Sequence, residues 1–291
     1  TLRILCLWAV LSAWSGRAQD YLEPFRPQFH FTPAEHWMND PNGMVYFDGE
    51  WHLFYQYNPF GNRWGHMSWG HAVSADLAHW EHLPLALPEE DGVMIFSGSA
   101  VVDWNNTSGF GDGVTPPLVA VYTGHDGERR VQDQRIAYSV DRGRRWTQWD
   151  GNPALDEGLS DFRDPKVFWH EDSEQWIMVL ALSIDRKVTF YGSPDLKQWE
   201  FLSTFGPAGA IEGVWECPDL WPLPVDGDPD DLLWVLDVDL SAGTPAGGSG
   251  GQYFLGHFDG RTFTELPGSR PESVLPTGPD NPVVLAHFVA G

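Results

Sequence analysis

The sequence predicts an all-β protein arranged as a β-propeller, and three observations carry that expectation. From residue 44 to residue 265 the chain reads as short β-rich runs divided by turn residues, with few helical patterns. Residues 44–47 and 51–57 flank Asp48-Gly49, a dipeptide suited to a tight hairpin turn, and residues 166–169 and 175–182 flank a polar turn in the same manner. The third observation is an internal repeat. Ser74-Ala75-Asp76-Leu77 ends at Trp80, Ser139-Val140-Asp141 at Trp146, Ser193-Pro194-Asp195-Leu196 at Trp199, and a weaker echo, His257-Phe258-Asp259-Gly260, at Phe263, which spaces the aromatic anchors by 66, 53 and 64 residues. A period of that size holds about four strands of ordinary length, which is one propeller blade, whereas a β-sandwich gives no such period.

Taken in order, the chain opens with Arg3, an apolar run over residues 4–14 and the small-residue stretch Gly16-Arg17-Ala18. This is the three-part layout of a secretory signal, with cleavage expected after Ala18. The apolar run is shorter than the roughly 20 residues a membrane-spanning helix needs, so export is expected rather than anchoring. Residues 1–18 are therefore read as a signal peptide and residues 19–291 as one propeller domain, exported to an extracellular or periplasmic location. Cleavage would remove two arginines and no acid, taking Lys+Arg from 17 to 15 against 41 Asp+Glu, a formal charge of −26. Such a surface repels nucleic acid but presents no barrier to a neutral sugar. Cleavage would also remove Cys6 and leave Cys217 alone, so stability must come from packing rather than from an internal disulfide.

Within the propeller, four blades are visible, and each repeat opens with a corner followed by a strand. The corners are Asn39-Asp40-Pro41-Asn42-Gly43, Phe96-Ser97-Gly98-Ser99, Arg163-Asp164-Pro165 and Glu216-Cys217-Pro218-Asp219. The first strand of a propeller blade is the innermost, so these corners should crowd the mouth of the channel and bring Asp40, Asp164 and Glu216 face to face. Singly, each acid could be an ordinary turn former that caps its own backbone. Three acids at equivalent inner positions would repel one another, a cost expected only where function requires it. A retaining glycosidase requires two such carboxylates about 5 to 5.5 Å apart, one to attack the anomeric carbon and one to protonate the leaving oxygen, and a third can hold hydroxyls. A metal site competes, but no His adjoins these acids and the acidic run over 226–231 is read as a turn-rich loop, so neither metal nor cofactor is expected. Around the acids, Trp37, Trp64 and Phe96 could wall off a sugar ring, while Asn39, Gln56, Ser97 and Arg163 could bond its hydroxyls. Trp64, in a turn-rich stretch, is read as a loop residue over the site. The Gly-rich stretch over 247–251 is read as a loop inside the fourth repeat.

Five ordered motifs, WMNDPNG at 37–43, FYQYNP at 54–59, FSGSA at 96–100, FRDPKVFW at 162–169 and WECPDLW at 215–221, resemble those of glycoside hydrolase family 32, which includes invertases, inulinases and levanases. The resemblance runs from Phe29 to Thr264, and the stretch from Ile95 through Phe110 is most similar to bacterial levanases and exo-inulinases. It implies that Asp40 is the nucleophile, Glu216 the acid/base and Asp164 a stabiliser of fructose hydroxyls with Arg163 beside it. It also implies that Asn39, Gln56, Trp64, Phe96 and Ser97 line the fructose pocket. The family's fold is a five-bladed propeller followed by a β-sandwich. Residues 265–291 show neither a fifth-blade motif nor a sandwich, so the last blade is expected to be incomplete and the sandwich absent. The expected activity is release of terminal non-reducing β-D-fructofuranosyl units from levan, inulin or sucrose. Fructosyl transfer, a non-catalytic fructan-binding propeller and arabinan cleavage are the rival readings, the last disfavoured by WMNDPNG and WECPDLW.

Overall fold

A computed structural model describes residues 23–27, 30–244 and 247–267, and among these it contains sixteen strands and no helix. The strands form four antiparallel four-stranded sheets, each a meander in chain order. Blade one comprises β1 (Trp37–Phe47), β2 (Glu50–Asn58), β3 (Ser68–Ser74) and β4 (Glu81–Leu87). Blade two comprises β5 (Val93–Val102), β6 (Leu118–Asp126), β7 (Val131–Ser139) and β8 (Thr147–Gln148). Blade three comprises β9 (Phe162–His170), β10 (Gln175–Leu182), β11 (Lys187–Ser193) and β12 (Glu200–Phe205), and blade four β13 (Trp215–Val225), β14 (Asp228–Leu240), β15 (Gly250–Phe258) and β16 (Phe263–Glu265). The signal-peptide reading, and any blade or sandwich after residue 267, fall outside the described residues.

The local sequence explains the elements. Asp48 and Gly49 both adopt positive φ, 50° and 95°, the conformation that lets a two-residue turn follow the twist of β1 and β2. The repeated Ser-x-Asp motif proves to be the connection from the third to the fourth strand of each blade. Asp76 Oδ1 accepts the backbone N–H groups of Ala78 and His79, Asp195 Oδ1 those of Lys197 and Gln198, and Asp259 Oδ1 those of Arg261 and Thr262. The period therefore marks a turn whose backbone donors need a side-chain acceptor, because no strand partner is available there. The acidic run over 226–231 is not a loop as expected. Asp226-Gly227 forms the β13–β14 turn and Asp228, Asp230 and Asp231 begin β14. Likewise Gly250 and Gly251 open β15, and only the preceding residues are loop.

The core lies between successive sheets. Ile177, Val179 and Phe190 of blade three meet Trp215, Leu236 and Phe254 of blade four, Val119 and Ile136 of blade two meet Phe162 and Met178 of blade three, and Phe54 and Trp69 of blade one meet Ile95 and Tyr122 of blade two. Truncating one of the fully buried aromatics to alanine should cost about 3–5 kcal/mol through lost burial and the cavity left behind.

The four corners do not precede the first strands, as the sequence reading expected; they lie inside them, as bulges. Pairing with the second strand slips between Asn39 and Pro41, between Ile95 and Gly98, at Arg163–Lys166, and between Glu216 and Asp219. Three of the slips contain an X-Pro step, Asp40-Pro41, Asp164-Pro165 and Cys217-Pro218. Proline has no N–H to give to a ladder, so a bulge is where a strand tolerates it. The fourth has Gly98, where a Cβ would lie 2.2 Å from the Val121 carbonyl oxygen. The residues that these slips leave without a ladder partner are Asp40, Phe96 and Ser97, Asp164 and Pro165, and Cys217 and Pro218.

Candidate active site

Side chains from the first two bulges interlock. Ser97 Oγ donates to Asp40 Oδ2 at 2.7 Å, Gln56 Nε2 donates to Ser97 Oγ at 2.5 Å and approaches the same Asp40 oxygen at 3.3 Å. Gln56 and Ser97 are buried, and Asp40 is half-buried. Two donors on one carboxylate oxygen orient it and leave Oδ1 outside this pairing. Asn42, buried behind Asp40, accepts the Gly98 N–H at 3.3 Å and ties the two bulges together. Asp40 thus bonds residues of other strands instead of capping its own turn.

The third and fourth bulges are joined by Arg163. Its Nη2 donates to Glu216 Oε1 at 3.0 Å, its Nη1 to Asp161 Oδ1 at 3.0 Å, and its Nε lies 3.7 Å from Asp164 Oδ2. Burial opposes the arginine's charge, but the carboxylates of Asp164 and Glu216 hold its pKa above the usual value. Asp164 has φ of 64° and Cys217 of 45°, left-handed conformations that non-glycine residues adopt at a cost. With both backbones so turned, the Cys217 N–H donates to Asp164 Oδ2 at 2.9 Å. Burial pushes Asp164 up from 3.8 to about 7, and the charges of Asp40 and Glu216 add to it against the opposing pull of Arg163 and the Cys217 amide. Asp164 therefore lies within electrostatic reach of both Asp40 and Glu216. Burial also drives the Cys217 thiol well above its ordinary value, with Asp164 and Asp40 contributing, so it is no nucleophile at neutral pH.

Aromatic side chains lie on the same strands and on the adjoining loop. Trp64 lies in the β2–β3 connection, is 54% exposed, and meets Phe96 edge-on with ring centroids 6.1 Å apart. Its loop is pinned at several points: Asn58 Nδ2 donates to the Arg63 carbonyl, the Trp37 N–H to the Gly61 carbonyl, and His66 pairs with Glu89 at 2.7 Å. Phe96 is fixed from behind, its carbonyl accepting from Trp69 Nε1 at 2.9 Å. Trp37 Nε1 donates to Asn39 Oδ1 at 2.7 Å, and Asn39 stands directly across from Gln56. Of the ten residues singled out in the sequence, eight lie on the four bulged strands, Gln56 on β2 and Trp64 on the β2–β3 loop. The sequence reading missed Asp161, Asn42 and the Cys217 backbone amide. Asp161 could have been found from alternation, since it lies two residues before Arg163; the amide had no side-chain signal at all.

A propeller with three convergent carboxylates, an arginine between two of them and aromatic rings on the same strands has the architecture of a glycoside hydrolase. The family model of the glycosyl hydrolases family 32 N-terminal domain matches residues 30–277, and the chain belongs to that family. It is 57% identical to the levanase of Bacillus subtilis over 262 residues, which is 89% of this chain and 38% of that protein. It is 45% identical to the extracellular exo-inulinase of Aspergillus niger, covering 91% of this chain and 55% of that protein, and 46% identical to invertase 2 of Saccharomyces cerevisiae, covering 82% and 46%. Among solved structures, the exo-inulinase of Aspergillus awamori superposes with a TM-score of 0.81 at 45% identity, over 86% of this chain and 54% of that one. The fructose complex of the Schwanniomyces occidentalis fructofuranosidase gives 0.78 at 45% identity, over 84% and 48%. The chain spans about half the length of the relatives it matches, or less.

Proposed function

We propose that this chain carries the catalytic site of a retaining β-fructofuranosidase that releases terminal non-reducing fructosyl units from fructans and sucrose. The observation that carries the reading is the pair of linked bulges: Asp40 held by Ser97 and Gln56 on one side, Glu216 and Asp164 joined through Arg163 on the other. Asp40 Oδ1 attacks C2 of the fructosyl unit while Glu216 gives its proton to the departing glycosidic oxygen, and the C2–O bond breaks. Glu216, now ionised, takes a proton from water as that water displaces Asp40 from C2, and the anomeric configuration is retained. Asp164 and Arg163 hold hydroxyls of the fructosyl ring. Gln56, Asn39 and Ser97 bond further hydroxyls, and Trp37, Trp64 and Phe96 wall the ring from water.

Relatives named levanase, exo-inulinase, invertase and fructofuranosidase support the substrate class, and the extracellular exo-inulinases among them support export through residues 1–18. The motif resemblance to the family supports counting the four described blades as part of a five-bladed propeller. The test is incubation with sucrose, inulin and levan and identification of the sugars released over time. Fructose alone from the start, first appearing as the β-anomer by NMR, is the expected result. Persisting turnover by Asp40→Asn, or an α-anomer as first product, refutes the mechanism.

A further inference from the structure

His125 has no part in the scheme above, yet it adjoins its aromatic side chains. It stands near the end of β6, across from Met94 of β5 and Gln132 of β7. Its ring stacks on Phe96 with centroids 4.7 Å apart and planes 10° from parallel, and Phe96 in turn meets Trp64. Three rings from separate segments thus make one wall. It starts at the loop bearing Trp64 and ends at His125, which stands across from Gln132, whose Oε1 accepts from Nη1 of Arg163, the group that holds Glu216, at 3.4 Å. The wall therefore runs from the nucleophile's side of the site to the acid's side. The acid's side is where a departing group must lie to receive its proton.

The imidazole is prepared to donate there. Nδ1 of His125 is buried and has no hydrogen-bond partner among the described residues. An unmet buried N–H is rarer and costlier than an unmet acceptor, so the favoured tautomer keeps a lone pair on Nδ1 and its proton on Nε2. Burial also lowers the ring's pKa, which keeps it neutral at pH 7. We infer that His125 is a specificity-determining residue of the leaving-group subsite, stacking beside the departing sugar and donating from Nε2 to one of its hydroxyls. The inference rests on the roles given above to Asp40 and Glu216.

The test compares wild type, His125→Ala and His125→Phe on sucrose and on methyl β-D-fructofuranoside, which carries the same fructosyl unit but releases methanol. For His125→Ala the ratio of kcat/KM on sucrose to kcat/KM on the methyl glycoside should fall about tenfold, the worth of one hydrogen bond with its contact. His125→Phe, which keeps the stacked ring, should fall less. A ratio that stays constant, whether both activities drop together or neither moves, overturns the inference, because a mere prop for Phe96 would affect the two substrates alike. A wild-type protein inert on both substrates would instead refute the reaction proposed above. Calorimetric binding then decides on His125: weaker binding of sucrose relative to the methyl glycoside in His125→Ala upholds the role, and an unchanged relative affinity overturns it.

Discussion

Replacing Asp164 by asparagine should make the protein more stable and nearly inactive, and the gain in stability should depend on pH. In the folded chain burial raises this carboxyl from 3.8 to about 7. Between about pH 4 and pH 7 the folded state therefore binds more protons at this site than the unfolded state does. Its contribution is fully present below pH 4, is lost as pH rises, and is gone above 7. The displacement corresponds to roughly 4 kcal/mol as a ceiling at high pH. Asparagine keeps an acceptor for the Cys217 N–H but forfeits the attraction to Arg163 at 3.7 Å, so the net gain at pH 8 should be about 2 kcal/mol. For a chain of this size that raises Tm by about 4 °C. The measurement is thermal unfolding of both proteins at pH 4 and pH 8, alongside sucrose hydrolysis at both. Activity should fall at least ~100-fold, since charge-assisted bonds to hydroxyls are lost. An Asp164→Asn protein that is less stable at pH 8, or whose difference from wild type is the same at both pH values, refutes the argument that a buried charge is being held against its solvation.

Three further outcomes follow from the same geometry. Ser97→Ala removes the donor to Asp40 and the acceptor for Gln56, and should lower kcat/KM on sucrose by roughly 10- to 100-fold with little change in unfolding temperature; wild-type kinetics would show that Asp40 needs no such support. Arg163→Lys replaces a fork that reaches Asp161, Glu216 and Asp164 by a single ammonium, so kcat should drop about 100-fold even though the charge is kept. Near-normal kcat would mean that charge alone suffices. In blade one, His52 Nδ1 and His71 Nε2 lie 3.0 Å apart, and burial pushes His52 down to about 4 and His71 well below its ordinary value. Both are neutral when folded but take protons when unfolded, so stability should fall as pH drops from 6.5 towards 4, opposite in sign to the Asp164 effect. In urea titrations across that window, the double variant His52→Leu/His71→Leu should show a weaker loss in acid, and an unaltered slope would count against the pair.

The sequence by itself determined what depends on neighbours along the chain. Short β-rich runs divided by turn residues gave the strands, Asp48-Gly49 gave its turn through two positive φ angles, and the Ser-x-Asp motif gave the blade period because each of those turns needs a local acceptor. The motifs likewise named the three acids, since their residue types and order are visible without coordinates. Only the tertiary structure decided how the acids are held. It turned the expected corners into bulges, joined Asp40 to Ser97 across 57 residues, and set Arg163 between Asp164 and a Glu216 that lies 53 residues further on. It also enlisted the Cys217 amide and stacked His125 on Phe96. These contacts follow from how one sheet packs on the next around the channel. That packing sets each side chain's burial and partners, and, the neighbours Arg163 and Asp164 aside, no short window of sequence contains both members of such a pair.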